Sequence, residues 1–205
     1  MPDDQLMLAY AGGDAFAFDL LYARHEGDML RFLRRLMGVR LAAEVDEAFQ
    51  ETWGRIVAER AAFAPEDASW RVWAFTIAYR TGIERLRLSG READFYAHDE
   101  DGDGLEAARL FGRGALRGGG ADDHPSLEEL NFWRAAGRRL LACLDELSDD
   151  QRAAFLLHHE DGFTVEVLAE ALATEPETVR NRLRQGRAKL QTCMERYLSV
   201  LERHA

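Results

Sequence analysis

Cysteine and long apolar runs are both scarce in this chain, and each scarcity removes a class of function. Cysteine stands at only two of 205 positions, Cys143 and Cys193. Neither belongs to a CxxC pair, which argues against a zinc site. Both fall in apolar helical patterns, so buried, reduced thiols are expected. No apolar run approaches the roughly 20 residues that span a bilayer, so no membrane insertion is expected. The chain opens with Asp3 and Asp4 and lacks a basic-then-apolar signal pattern, which leads to the expectation of a cytoplasmic protein. Alternating strand patterns are missing. So are a glycine-rich phosphate cradle and a nucleophile motif, so neither an enzyme nor a cofactor is expected. His158 and His159 have no third ligand at a suitable spacing. Asp99, Asp101, Asp103 and Gly104 imitate the start of a calcium loop, but Leu110 stands where a bidentate Glu is required.

What is present is helical. Apolar residues make up 47% of the chain, enough for folded cores. Phe18, Leu21, Tyr22, His25, Met29, Leu33, Leu36 and Met37 recur three or four apart and mark one helix face. Val45, Ala48, Phe49, Thr52 and Ile56 mark a second. A third helix is expected over about 69–91, with Trp73 and Ile77 on one side and Pro65 in the loop before it. Residues 92–126 change character. Acids crowd residues 92–106, glycines follow, and the stretch reads as a flexible acidic linker. Helical pattern resumes at Leu127, with further helices expected near 149–160, 164–172 and 176–200. The fold expected is all-α: two small helical domains, 1–92 and 127–205, joined by a flexible linker over 93–126.

The net charge of −11 argues against nucleic-acid binding until its distribution is considered. Arginines are concentrated at residues 180–187. There a short helix (VEVLAEAL), a tight turn (ATEP) and a longer helix (ETVRNRLRQGRAKL) have the order and length of a DNA-reading helix-turn-helix. Pro176 suits the first turn of the longer helix. Val179, Leu183, Gly186 and Leu190 should face the core, with Gly186 allowing close helix contact. Arg180, Arg184 and Arg187 repeat the same steps one position later and form a row beside that stripe. One packed face and one face of forked donors are what a recognition helix needs for phosphates and guanine edges.

The stretch LDELSDDQRAAFLLHHEDGFTVEVLAEALATEPETVRNRLRQGRAKL resembles the promoter-reading region of extracytoplasmic-function sigma factors, with Gln151, Arg152, Phe155, Gly162, Leu172, Val179, Leu183, Arg187 and Leu190 among the matching positions. Ser148 stands where that family usually has Pro, and Glu175 and Glu177 where it often has Ser and Gly. Upstream, EVDEAFQETWGRIV resembles the family's acidic segment and SWRVWAFTIAYRTGIERLR its aromatic-basic helix. The resemblance implies a subunit that carries core RNA polymerase to promoter DNA. It implies a polymerase-docking face at Glu44, Asp46, Glu47, Gln50 and Glu51. It implies minus-ten contacts from Trp70, Arg80, Arg85 and Arg87, and minus-35 contacts from Thr178, Arg180, Asn181, Arg184 and Arg187. An anti-sigma factor is the regulator it suggests. A Ser/Thr kinase acting on Thr52 is the alternative, since a phosphate there would add about −1.5 to −2 charge to the docking segment. A helix-turn-helix regulator that never engages polymerase remains open at this point; it would need neither the acidic segment nor the aromatic-basic helix.

Overall fold

The computed structural model of the chain describes residues 1–92 and 127–202, all of them helical or in short turns; the acidic linker lies outside the described residues. Helix α1 spans Asp3–Ala11 and α2 Ala15–Met37; a 3-10 segment over Val39–Glu44 leads into α3, Val45–Ala58; α4 covers Trp70–Glu92. The second module holds α5 (Leu127–Asp145), α6 (Asp149–His159), α7 (Val165–Ala171) and α8 (Pro176–Glu202).

The stripe read on α2 is its buried face. Leu21, His25, Met29, Leu33, Leu36 and Met37 are all buried, against Phe75, Ile56 and Leu86 from α3 and α4. Phe18 and Tyr22 sit half-buried on the same face and meet Trp53 at ring distances of 5.7 and 4.9 Å. Helix α2 begins where Asp14 accepts from the Phe16 N–H at 3.0 Å, a side-chain N-cap.

Helix α1 has no counterpart in the sequence reading, because only Leu6 and Met7 of its nine residues are buried and no periodicity develops. Its acids nonetheless fix the module. Asp4 accepts from the Trp70 N–H at 2.6 Å, tying α1 to the start of α4. Asp3 meets both Arg24 (2.7 Å) and His25 (2.8 Å) on α2.

In the second module, Ser148 caps α6 by accepting from Gln151 N–H, and Thr164 caps α7 by accepting from Val167 N–H, each at 3.3 Å. Ser148 therefore does the work expected of the residue before the helix, by a hydroxyl rather than a Pro ring. Cys143 on α5 and Cys193 on α8 form a disulfide, with Cα atoms 5.9 Å apart. This corrects the expectation of reduced thiols: α5 and α8 pack side by side, and that places both sulfurs on one seam. Gly186 is buried, but a Cβ there would find its nearest neighbours at 3.8 Å. The close approach expected at Gly186 is therefore not needed; alanine would fit.

The modules touch. Helices α2 and α4 pack against α6 and α7. Arg35 pairs with Glu160, Arg71 with Asp161 at 2.6 Å, and Arg152 donates to the Leu36 carbonyl at 3.1 Å. Phe75 and Phe163 meet at 6.4 Å. Burial of Asp161 pushes its carboxyl up to about 6, even with Arg71 beside it.

Candidate polymerase and promoter surfaces

The acidic segment forms the first turns of α3. Val45, Ala48, Thr52, Trp53 and Ile56 face the core, so Asp46, Glu47 and Gln50 necessarily point outward, and all three are exposed. Asp46 and Glu47 lie in the first turn, where the helix dipole favours carboxylates. Glu44 and Glu51 are half-buried and turned toward α4. There Arg85 reaches Glu51 at 2.7 Å, Glu47 at 3.2 Å and Glu44 at 3.4 Å. Arg55 adds bonds to Glu51 (2.6 Å) and Glu84 (2.7 Å). The guanidinium of Arg85 leads the set of contacts that hold the Glu51 carboxyl below the usual carboxylate range.

Two of the minus-ten candidates are thus occupied elsewhere. Arg85 belongs to the acidic face. Trp70 is completely buried, with its ring 4.3 Å from His25 and 6.3 Å from Trp53. It is a core residue, and no base can stack on it in this conformation. The other two candidates, Arg80 and Arg87, are exposed on α4. They line a cleft of about 490 Å³ together with Ile83, Leu88 and the turn residues Leu172 and Ala173 of the second module.

Thr52 is fully buried and its hydroxyl donates to the Ala48 carbonyl at 2.8 Å. A kinase has no access to that oxygen without unfolding α3, so the geometry favours packing over modification.

On α8, Val179 and Leu190 are buried as the stripe required, with Leu183 half-buried between them. Arg180, Arg184 and Arg187 are exposed, as is Thr178; Asn181 is half-buried and accepts from Arg184 at 2.6 Å. Arg180 pairs with Glu177 (3.2 Å) and approaches Glu166 (3.7 Å). Both pairs are exposed, so they hold Arg180 only weakly against a phosphate. Arg182 points away from the row and bonds Asp150 at 2.6 Å, fastening α8 to α6. The turn between α7 and α8 is tight enough to put Ala173 in the left-handed region, at φ 48°.

Changing Arg180, Arg184 and Arg187 together to Ala should weaken promoter binding while sparing the fold, since exposed charges contribute little stability. Each lost phosphate contact should lower the salt slope of binding by about 1. Unchanged affinity and slope in a salt titration would remove these residues from the DNA surface.

Two family models match the two modules in order. The Sigma-70 region 2 model matches residues 21–92, and the Sigma-70, region 4 model matches residues 137–190. The chain belongs to the sigma-70 family, as an extracytoplasmic-function sigma factor. It is 26% identical over 195 residues to the ECF RNA polymerase sigma factor SigK of Mycolicibacterium vanbaalenii, covering 93% of this chain and 88% of that one. The SigK of Mycobacterium tuberculosis strain H37Ra is 24% identical, covering 94% and 93%. Among solved structures, RpoE in complex with the anti-sigma factor NepR from Bartonella quintana shares the fold at TM-score 0.63 and 19% identity, over 87% of this chain and 96% of that one. CnrH in complex with the cytosolic domain of CnrY does so at TM-score 0.59 and 24% identity, over 94% and 97%. As a sigma factor the protein binds core RNA polymerase and promoter DNA and directs transcription initiation; the family is not enzymatic. No helix among the described residues is long and apolar enough to cross a membrane.

Proposed function

We propose that the sigma factor divides its work between modules at 1–92 and 127–205. The exposed acids of α3 dock on core polymerase, Arg80 and Arg87 of α4 meet the minus-ten element, and the arginine row of α8 reads the minus-35 element. The observation that carries this reading is the separation of charge. The carboxylates of α3 stand on one module and the exposed arginines of α8 on the other, as a protein that bridges a basic partner and DNA requires. A regulator without polymerase would have no use for the first surface. An anti-sigma factor is the regulator we favour over a kinase, because the similar sigma factor RpoE was captured with the anti-sigma factor NepR and Thr52 is inaccessible. We place the protein in the cytoplasm, where polymerase and promoter are.

Reversal of Asp46 and Glu47 to Lys tests the docking face. Both side chains point to solvent, so the melting temperature should hold within a few degrees. Co-purification with core polymerase should be lost, at a cost of several kcal/mol from like-charge contact. Normal co-purification of the double variant would place docking elsewhere.

A further inference from the structure

Arg85 lies on α4, in the helix whose basic residues the resemblance assigns to DNA, yet its guanidinium turns the other way. It reaches Glu51 with Nη2 at 2.7 Å and with Nε at 3.3 Å, Glu47 with Nη2 at 3.2 Å and Glu44 with Nη1 at 3.4 Å. Its side chain is only 15% exposed, whereas that of Glu47 is 73% exposed. The arginine is therefore beneath the acidic face and the carboxylates above it. Arg55 reinforces the arrangement from the next turn of α3 by bridging Glu51 to Glu84. Glu44 precedes α3, Glu47 lies in its first turn and Glu51 one turn later, so one planar donor meets three carboxylates at once. Only arginine can do this, because its donors radiate from a rigid fork.

We infer that Arg85 is a positioning residue for polymerase docking and not a promoter contact: it aims and immobilises the carboxylates of the α3 face. The inference rests on the reading of that face as the docking surface. Long acidic side chains lose rotamer freedom when a partner binds, and a face already held still loses less. Arg85 also offsets the mutual repulsion of Glu44, Glu47 and Glu51, so they can stay close enough to meet one basic partner surface. The contact set narrows accordingly. Asp46, Glu47 and Gln50 touch polymerase, while Glu44 and Glu51 serve as struts.

The test is binding of full-length Arg85→Gln and Arg85→Lys proteins to core polymerase by a kinetic method, with Asp46→Lys/Glu47→Lys as reference. Arg85→Gln adds one net negative charge to the face, so association with a basic surface should be equal or slightly faster. Dissociation should be about 10-fold faster, because the carboxylates are no longer held. That split would not follow from loosened folding, which slows productive association. Arg85→Lys, with the charge but not the fork, should fall between the two. Promoter affinity of holoenzyme assembled at saturating sigma factor should be unchanged. Core binding like the original, or tighter, in Arg85→Gln would overturn the inference. So would normal core binding with weaker promoter binding and a salt slope lower by about 1, which would make Arg85 a DNA contact. The reference protein separates the two levels. If it too binds core normally, the docking face itself is wrong; if it fails to bind while Arg85→Gln is normal, only the role of Arg85 is wrong.

Discussion

Gly38→Ala should part the two modules and lower the melting temperature. Gly38 follows α2 with φ 64° and ψ −167°, a region essentially reserved for glycine. A Cβ there would lie 2.2 Å from Asp145 Oδ1 and 2.6 Å from Arg152 Nη1, both on the second module. These are not loose side chains that can swing aside. Arg152 is 5% exposed; it donates to the carbonyls of Leu144 (2.9 Å), Asp145 (3.0 Å) and Leu36 (3.1 Å), and pairs with the Asp145 carboxylate at 3.1 Å. Displacing it strands buried acceptors as well as a buried charge. Backbone strain of about 1–3 kcal/mol and a similar penalty for unmet hydrogen bonds put the total on the order of 3–5 kcal/mol. The neighbouring Arg40–Asp149 pair is a built-in contrast: at 3.6 Å and about half exposed, its removal by Arg40→Ala should cost less than about 1 kcal/mol. Small-angle scattering reads the separation directly. A compact chain of this length has a radius of gyration of roughly 17 Å, and the variant should exceed the original by several ångströms. Equal scattering and equal melting for Gly38→Ala and the original protein would show that this contact does not hold the modules together.

The same contact bears on promoter binding. Elements at minus-ten and minus-35 lie about 25 base pairs apart, or about 85 Å along B-DNA at 3.4 Å per step. A packed chain of this size is roughly 45 Å across. Under the division of work proposed above, the two modules reach their elements together only after Arg35–Glu160, Arg71–Asp161 and the Arg152 bonds have broken.

How far the sequence revealed these features depends on how local the determining interaction is. Helices α2, α3 and α8 were legible because each buries one stripe, and a stripe is written in neighbouring residues: Met29, Leu33 and Leu36, or Val179 and Leu190. The start of α8 at Pro176 was legible for the same reason. Trp70 was misjudged because an aromatic at a helix start reads alike whether it meets a base or a core. Its partners, His25, Trp53 and the Asp4 cap, come from three other helices. The pairing of Arg85 was hidden in the same way, since the acids that claim it are 34 to 41 positions away. Direction along a helix face separates Arg85 from Arg87, and two positions of offset cannot be weighed without knowing what packs on each side. The contacts between modules had no sequence signal at all. Glu160 and Asp161 follow the end of α6, and only the fold brings them to Arg35 and Arg71.

The disulfide was hidden for a related reason and should have the other large effect. Cys143 and Cys193 are 50 residues apart, and their cross-link closes the end of α5, all of α6 and α7, and most of α8 into one loop. In the chain-entropy account a loop of that length restricts the unfolded module by about 4 kcal/mol. Both residues are almost completely buried, so two thiols would still fill the same space after reduction and packing would change little. Reduction therefore isolates the cross-link, whereas Cys143→Ser also places a hydroxyl in an apolar seam. Thermal melts of the original protein with and without a thiol reductant should differ by roughly 15–30 °C for a module of this size. Cys143→Ser should melt at or below the reduced protein and should ignore the reductant. The arginine row should feel the loss too. Cys193 lies about two turns beyond Arg187 on α8, so the cross-link fastens the far half of the recognition helix to α5 while the Arg182–Asp150 bond fastens the near half to α6. Reduced protein should thus show faster amide exchange past Leu190 with the start of α8 still protected. Melts that coincide with and without reductant, together with two titratable thiols in protein purified in air, would show that the cysteines merely pack.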